Sequence, residues 1–408
     1  MPLTHCKYLI TGRIHLMIHT INIRKRLTKE EYIHIKETYN LLPDINCFKH
    51  VPKTRLNLPN DSEKYISISV FEYHAHNMRI TYYINAFLDL HKLADHTNLH
   101  KFFTPKDIQV AIKNFDDIIC SELGKNYLIE NWELSRIDFS IDIPFEKSND
   151  DDIIQHYIDL LNKTTLDKYD NSHYKNGESF YLIPDKKNNE TNKTKKPRVN
   201  FYHKYKKFEN DINTSGYKPS LTDYVLRLEV QYPDAKYIIK ELNGGNKKKN
   251  NPFPIQSSFY KNFLSPENLP KLLLNSLQSI YDKKLKELYL LGDFYTLDEA
   301  IKIIDNHIGS ASPLKNRNLT FTYAKNLKKV LRDISDSSSI EAYKRKRTTP
   351  NKKTIKEYFE VLNDLNISPV LISDEESQKW NTTHLEGLHT KLDQVISQYI
   401  WESQNNII

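Results

Sequence analysis

Hydrophobic and polar residues alternate with a period of two in three separated stretches of the chain. The first is Arg136-Ile137-Asp138-Phe139-Ser140-Ile141-Asp142-Ile143. Successive side chains of a strand point to opposite faces. Ile137, Phe139, Ile141 and Ile143 therefore share one face, and Arg136, Asp138, Ser140 and Asp142 the other. The second is Val199-Asn200-Phe201-Tyr202-His203-Lys204, with Val199 and Phe201 opposite Tyr202 and Lys204. The third is Val225-Leu226-Arg227-Leu228-Glu229-Val230-Gln231-Tyr232, with Leu228 and Val230 opposite Arg227, Glu229 and Gln231. One such stretch alone reads as a strand with a solvated polar face. Three in order, with complementary charges, predict one sheet whose polar face gathers carboxylates, arginines, a lysine and a tyrosine. Such a face suits metal-assisted phosphodiester chemistry.

The same patterns predict the other elements. Residues 14–23, 65–71 and 78–84 read as strands. Residues 28–40 read as a helix, with Thr28 and Glu31 in capping-box spacing and Tyr32, Ile35 and Tyr39 as its stripe. Helices are expected at 86–93, 105–123, 150–162 and 233–242. Pro144 ends the first charged strand, and Asp150, Asp151 and Asp152 favour the start of the helix that follows it. Residues 184–197 read as a loop rich in Lys, Asn and Thr.

The glycine- and lysine-rich stretch beginning at Gly244 is the clearest break. Beyond it the pattern turns helical. A leucine stripe runs from Leu269 to Leu291, and Thr296-Leu297-Asp298-Glu299 has capping-box spacing for a helix over 297–307. Further helices are expected over 319–333 and 354–365. The predicted fold class is α+β, with an antiparallel-rich central sheet and flanking helices over 17–243. A linker over 244–264 and a mainly helical region over 265–372 follow. Residues 373–408 read as a polar tail with a late helix at 384–401.

The chain has 408 residues, enough for two domains with substantial cores. Its net charge of +7 suits a polyanionic partner. Three widely spaced cysteines, Cys6, Cys47 and Cys120, form no zinc pattern or disulfide framework and fit a reducing cytoplasm. No apolar run has the length of a membrane span, and Arg13, His15 and His19 interrupt any signal-peptide core. The glycine-rich nucleotide-binding and nucleophile-elbow motifs are missing, which argues against nucleotide hydrolysis.

Other candidates carry weaker patterns. His74 and His76 have the His-x-His spacing that puts two imidazoles on one strand face, but they fall where two strands turn. Lys195, Lys196 and Arg198 lie in or beside the basic loop that opens into the tyrosine strand. Lys344, Arg345, Lys346 and Arg347 cluster between the last two predicted amphipathic helices. Both groups are candidate phosphate contacts, weighed against solvated loops and hinges.

Leu134-Ser135-Arg136-Ile137-Asp138, then Phe201-Tyr202-His203-Lys204, then Leu226-Arg227-Leu228-Glu229-Val230 resembles, in order, rolling-circle replication initiators. The resemblance is to the gene II/X replication proteins of filamentous phages and related plasmid initiators, with the Rep_trans plasmid initiators more distant. Met17-Ile18-His19-Thr20 is similar to the family's opening, which suggests that residues 1–16 are an extension or reflect a misplaced start. Residues 358–368 look like its C-terminal helix and turn, with Asn366 where glycine is usual. The resemblance spans roughly 17–372.

It implies Tyr202 as nucleophile, Asp138 and Glu229 as metal ligands with Asp142 as a third, and Arg136, Lys204 and Arg227 near the scissile phosphate. Tyr205 is the rival nucleophile. Mg²⁺ or Mn²⁺ suits an oxygen-rich site of this kind. The implied partners are origin DNA, as duplex or hairpin and as single strand, with a host helicase and polymerase, in the cytoplasm of a bacterial host. Alternatives are a relaxase- or transposase-like strand transferase and a non-catalytic origin-binding regulator.

Overall fold

The computed structural model describes residues 15–39, 54–56, 66–74, 80–94, 105–146, 152–164, 169–173, 179–184, 197–207, 224–233, 290–309, 319–337, 339–346 and 352–394, with 209, 264, 275, 288 and 397. A nine-stranded sheet organises the first part of the chain. In chain order its strands are β1 (His15–Leu27), β2 (Thr54–Leu56), β3 (Ile66–His74), β4 (Ile80–Asp89), β5 (Glu133–Pro144), β6 (Tyr169–His173), β7 (Ser179–Pro184), β8 (Arg198–His203) and β9 (Val225–Tyr232). Their spatial order is β2-β3-β4-β1-β5-β9-β8-β7-β6. Every neighbouring pair is antiparallel. Flanking helices complete the α+β fold.

One face of the sheet is the core. Ile21, Ile23, Ile68, Ile84, Ala86, Leu88, Phe139, Ile141, Phe201 and Leu228 are all fully buried. Helices α1 (Lys29–Thr38), α2 (Leu90–Ala94), α3 (Pro105–Leu123) and α4 (Ile153–Asn162) accompany it. The capping box of α1 forms as expected, with Thr28 accepting from the Glu31 amide at 3.1 Å and Glu31 accepting from the Thr28 amide at 2.7 Å. The stripe of α3 buries Ile108, Ile112, Phe115 and Ile119. Phe115 meets Trp132 edge-on at 5.9 Å.

Several expectations need correction. Residues 86–89 continue β4, and only Leu90–Ala94 is helical. Ala86 and Leu88 alternate onto the core opposite Ile23 and Ile21, so strand pairing outweighs local helix preference. Strands β6 and β7 were not expected; Phe180 and Leu182 of β7 alternate into the core. β1 begins at His15, opposite Asp142, so the sheet extends ahead of Met17. Residues 185–196 and 234–263 lie outside the described residues, including all but the first residue of the expected helix at 233–242 and nearly all of the linker. The linker's last residue, Leu264, is buried, and its carbonyl accepts from Gln109 of α3.

The C-terminal region contains α5 (Leu297–Asn306), α6 (Phe321–Ser335), α7 (Ile340–Lys346), α8 (Lys352–Asp364) and α9 (Asp374–Trp380). It also holds a two-stranded sheet of β10 (Phe294–Tyr295) and β11 (His384–Leu385). Thr296 is the N-cap of α5, but its side chain makes no capping hydrogen bond. Helix α8 closes in a Schellman turn. The Ile367 amide donates to the Leu362 carbonyl at 2.8 Å, and the Asn366 amide to Asn363 at 3.0 Å. Asn366 has φ 58°, the left-handed geometry that explains an asparagine in a glycine position.

Residues 373–394 are not a polar tail. Trp380 is buried and stacks on His156 of α4 with ring centroids 4.2 Å apart. Tyr157 donates to the Glu386 carbonyl at 2.7 Å, and Lys163 bonds both Glu376 and the Leu371 carbonyl. Among the described residues, no helix is long and apolar enough to cross a membrane.

Candidate active site on the polar face of the sheet

Pairing register decides which polar residues meet. Across β1, β5, β9 and β8 one row reads Thr20, Asp138, Gln231, Arg198. The next row, from β5 to β7, reads Ser140, Glu229, Asn200, Tyr181. The third reads Asp142, Arg227, Tyr202, Ser179. Residues directly opposed in an antiparallel pair share a face, with Cα atoms about 4.5–5.5 Å apart. The three charged stretches therefore form one contiguous grid. It is largely buried: Asp138 is 1% exposed, Asp142 3%, Tyr202 5% and Glu229 6%.

The carboxylates differ in their partners. Asp138 is gripped by Arg136 through Nε at 2.8 Å and Nη2 at 2.6 Å, and accepts from Thr20 Oγ1 at 2.5 Å. Asp142 is gripped in the same bidentate way by Arg227, at 2.5 and 2.8 Å, with Lys204 Nζ at 3.4 Å. Glu229 accepts one long hydrogen bond from Gln231 at 3.4 Å. Burial pushes the Glu229 carboxyl up, and the Asp138 charge pushes it further. Burial also raises Asp138, although Arg136, Thr20 and Arg198 oppose it.

Tyr202 is held between cations. Arg227 lies directly opposite it in the β8–β9 register, and Lys207 Nζ lies 4.4 Å from its ring centroid. Burial nevertheless outweighs both cations, so the phenol titrates above its ordinary value. The same face holds buried polar atoms that have no hydrogen-bond partner among the described residues. They are Ser140 Oγ, Asn200 Oδ1, Ser179 Oγ, Asn22 Oδ1 and Arg198 Nε.

The structure thus brings Tyr202, Arg136, Arg227, Asp138, Asp142 and Glu229 onto one face, as the alternation predicts. Two assignments change, while Asp142, held by Arg227 and Lys204 much as Asp138 is held by Arg136, keeps its place as the third carboxylate of the face. Lys204 does not continue the strand: residues 204–207 are helical, and Lys204 turns to Asp142 while Lys207 takes the place over the tyrosine ring. Arg198 belongs to the grid beside Asp138 rather than to a backbone-gripping loop. Tyr205 packs with His203 and Tyr224, at 6.5 and 6.4 Å between ring centroids; His203 is on the core-side register of β8.

Lys344 pairs with Glu341 at 2.7 Å within α7. Lys195, Lys196, Arg347 and His76, and the side chains of Arg345, Lys346 and His74, lie outside the described residues. Lys207, Thr20 and Asn200 were not singled out from the sequence. Asn200 was readable, two residues before Tyr202 on the same strand. Thr20 needed the β1–β5 register and Lys207 the helical turn, and neither has a local signal.

Among the described residues, no three His, Cys, Asp or Glu side chains gather in a metal-binding group. Comparison of the chain with protein-family models, with curated proteins and with solved structures gives no match.

Proposed function

We propose that the protein nicks and rejoins single DNA strands through Tyr202, as an initiator of rolling-circle replication. One observation carries this reading. A buried tyrosine directly opposite Arg227 in the sheet shares a face with the Glu229–Asp138 carboxylate pair. Arg227 and Lys207 would bind the scissile phosphate's charge. Tyr202 Oη forms the bond to phosphorus, and the bond from phosphorus to the 3′ oxygen breaks. The phenol gives up its proton, and the 3′ oxygen takes one to become the free primer hydroxyl. The phosphodiester energy stays in the 5′-phosphotyrosyl link, so the reverse attack rejoins the strand without ATP.

The donor chemistry fits Mg²⁺ or Mn²⁺. Glu229 and Asp138 are both raised by burial, and Ser140 and Asn200 offer nearby oxygens without partners among the described residues. When bound, the ion would polarise a nonbridging phosphate oxygen. Register puts Asp138 and Tyr202 at opposite corners of the grid, about 16 Å apart along the sheet, with Glu229 between them. Glu229 is thus the carboxylate of the pair nearer the nucleophile, and would hold an ion on that side.

A second reading has its own support. Arg136 and Arg227 neutralise two of the three carboxylates, and the Tyr202 phenol is raised. Both features suit an origin-binding regulator that keeps the fold without the reaction. Incubation with labelled single-stranded origin DNA and Mn²⁺ separates the two. The nicking enzyme gives a covalent protein–DNA adduct that Tyr202→Phe abolishes and Tyr205→Phe retains. The regulator gives DNA binding with no adduct under any metal.

A further inference from the structure

The polar face does not stop at the grid. Across β3, β4 and β1 it continues in three more rows: Ser67, Phe87, Asn22; then Ser69, Asn85, Arg24; then Phe71, Tyr83, Arg26. Asn22 in turn pairs with Arg136 of β5, which joins these rows to the carboxylate end of the grid. The core of this half of the sheet is on the other side, where Ile66, Ile68, Val70, Ile84, Ala86 and Leu88 are fully buried. Phe71, Tyr83 and Phe87 are therefore large rings on the face away from the core, and each is only half-buried. A cluster of incompletely covered aromatics on a polar face calls for a reason in a way that a single exposed ring does not.

The rings are arranged for flat partners. Phe71 and Tyr83 lie nearly parallel, 23° apart, with centroids 5.4 Å apart. The Arg24 guanidinium lies 5.3 Å from the Phe71 centroid and 5.2 Å from that of Tyr83, and Asn85 orients it through Nε at 3.0 Å. Arg136 lies 5.9 Å from the Phe87 centroid. No acid occurs in the three rows, and Arg26 is exposed with no ion pair among the described residues. Interleaved aromatic rings, guanidinium planes and amides on a stretch of sheet whose three rows hold no acid are what unstacked bases and their phosphates require.

We infer that the β3–β4–β1 part of the polar face binds single-stranded nucleic acid, with bases stacking on Phe71, Tyr83 and Phe87 and phosphates meeting Arg24, Arg26 and Arg136. This deepens the nicking reading and rests on it for the strand's destination. From β4 to β8 is four strand spacings, about 19 Å. The track would hold nucleotides several positions away from the one attacked by Tyr202. Such a track explains how the scissile link is presented unpaired, because a strand stacked on the protein cannot stack in a duplex.

The test uses full-length Tyr202→Phe protein, in which strand transfer is blocked, and fluorescence anisotropy with a labelled single-stranded DNA oligonucleotide. Adding Phe71→Leu and Tyr83→Leu together should weaken binding at least about fivefold, since each stacked base contributes a factor of roughly 5 to 150. Phe71→Tyr and Tyr83→Phe keep a ring and should stay within roughly twofold of the parent. Arg24→Lys keeps the charge but loses the flat surface, and should also weaken binding; it serves if the double variant does not fold.

An RNA of the same sequence tells whether the track takes single strands in general or DNA alone. Parental affinity in a folded Phe71→Leu, Tyr83→Leu protein, or in Arg24→Lys, overturns the inference. The nicking proposal fails separately: a wild-type chain that forms no adduct leaves these affinities as they are.

Discussion

At the scale of single residues, the three acids of the polar face have different work to do. Asp142 makes a buried bidentate pair with Arg227, which lies opposite Tyr202 in the sheet. Removing one partner of such a pair leaves an uncompensated buried charge. Asp142→Asn should therefore cost about 3–5 kcal/mol of stability by denaturant unfolding. Glu229 is the reverse case. Its folded pKa is raised, so the stability it contributes is full below its unfolded value and is lost as pH rises through the folded one. Glu229→Gln should leave stability at neutral pH unchanged or higher. If the proposed ion binds there, a hundredfold excess of Mn²⁺ over Kd should stabilise the parent by about 2.7 kcal/mol, seen as a higher Tm, and Glu229→Gln should abolish that gain. A Mn²⁺ effect that survives Glu229→Gln would move the ion elsewhere.

At the scale of elements, the end of β8 and the start of α4 are tied by one side chain. Asp152 caps α4 by accepting from the Gln155 amide at 3.3 Å and accepts from Tyr224 Oη at 3.1 Å. It also pairs with Lys206 Nζ at 2.5 Å, and His203 Nε2 lies 3.3 Å away. These contacts hold its carboxyl well below the usual range despite burial. A depressed folded pKa contributes stability above the unfolded value near 4, and that stability is lost as pH falls through the folded one. Asp152→Asn should lower the Tm at pH 7 and flatten its fall below about pH 4; an unchanged acid limb would contradict the assignment.

The elements also mark how much of the fold the sequence discloses. The helix at 105–123 and the three charged strands are long and periodic, and the structure keeps them. The Thr28–Glu31 box forms as its spacing predicts, whereas Thr296, with the same spacing to Glu299, makes no capping hydrogen bond. β6 and β7 escaped because both are short, with few alternating residues. The lateral order of strands escaped because register is set by partners far away in the chain. The grid could therefore be anticipated as a set of residues but not as rows. That is why Asp142's capture by Arg227, and the exchange of Lys204 for Lys207, had no signature in the sequence.

At the scale of the molecule, the C-terminal region is a buttress for α4. Trp380 is buried on His156, and Tyr157 lies edge-on to Phe294 at 6.0 Å. Trp380→Ala should cost about 3–5 kcal/mol, read from denaturant unfolding; a cost well under 1 kcal/mol would mean that the contact is not part of the stable fold. The other side of α4 faces β7 and β8, so this docking also supports the strand that carries Tyr202. The account as a whole depends on that residue meeting a phosphate. The direct measurement is to incubate the full-length chain with single-stranded origin DNA and Mn²⁺, digest the product, and locate the nucleotide-bearing peptide by mass spectrometry. A phosphodiester link at Tyr202 is the expected result; a link at Tyr205 or any other residue, or no link at all, would contradict the nicking proposal.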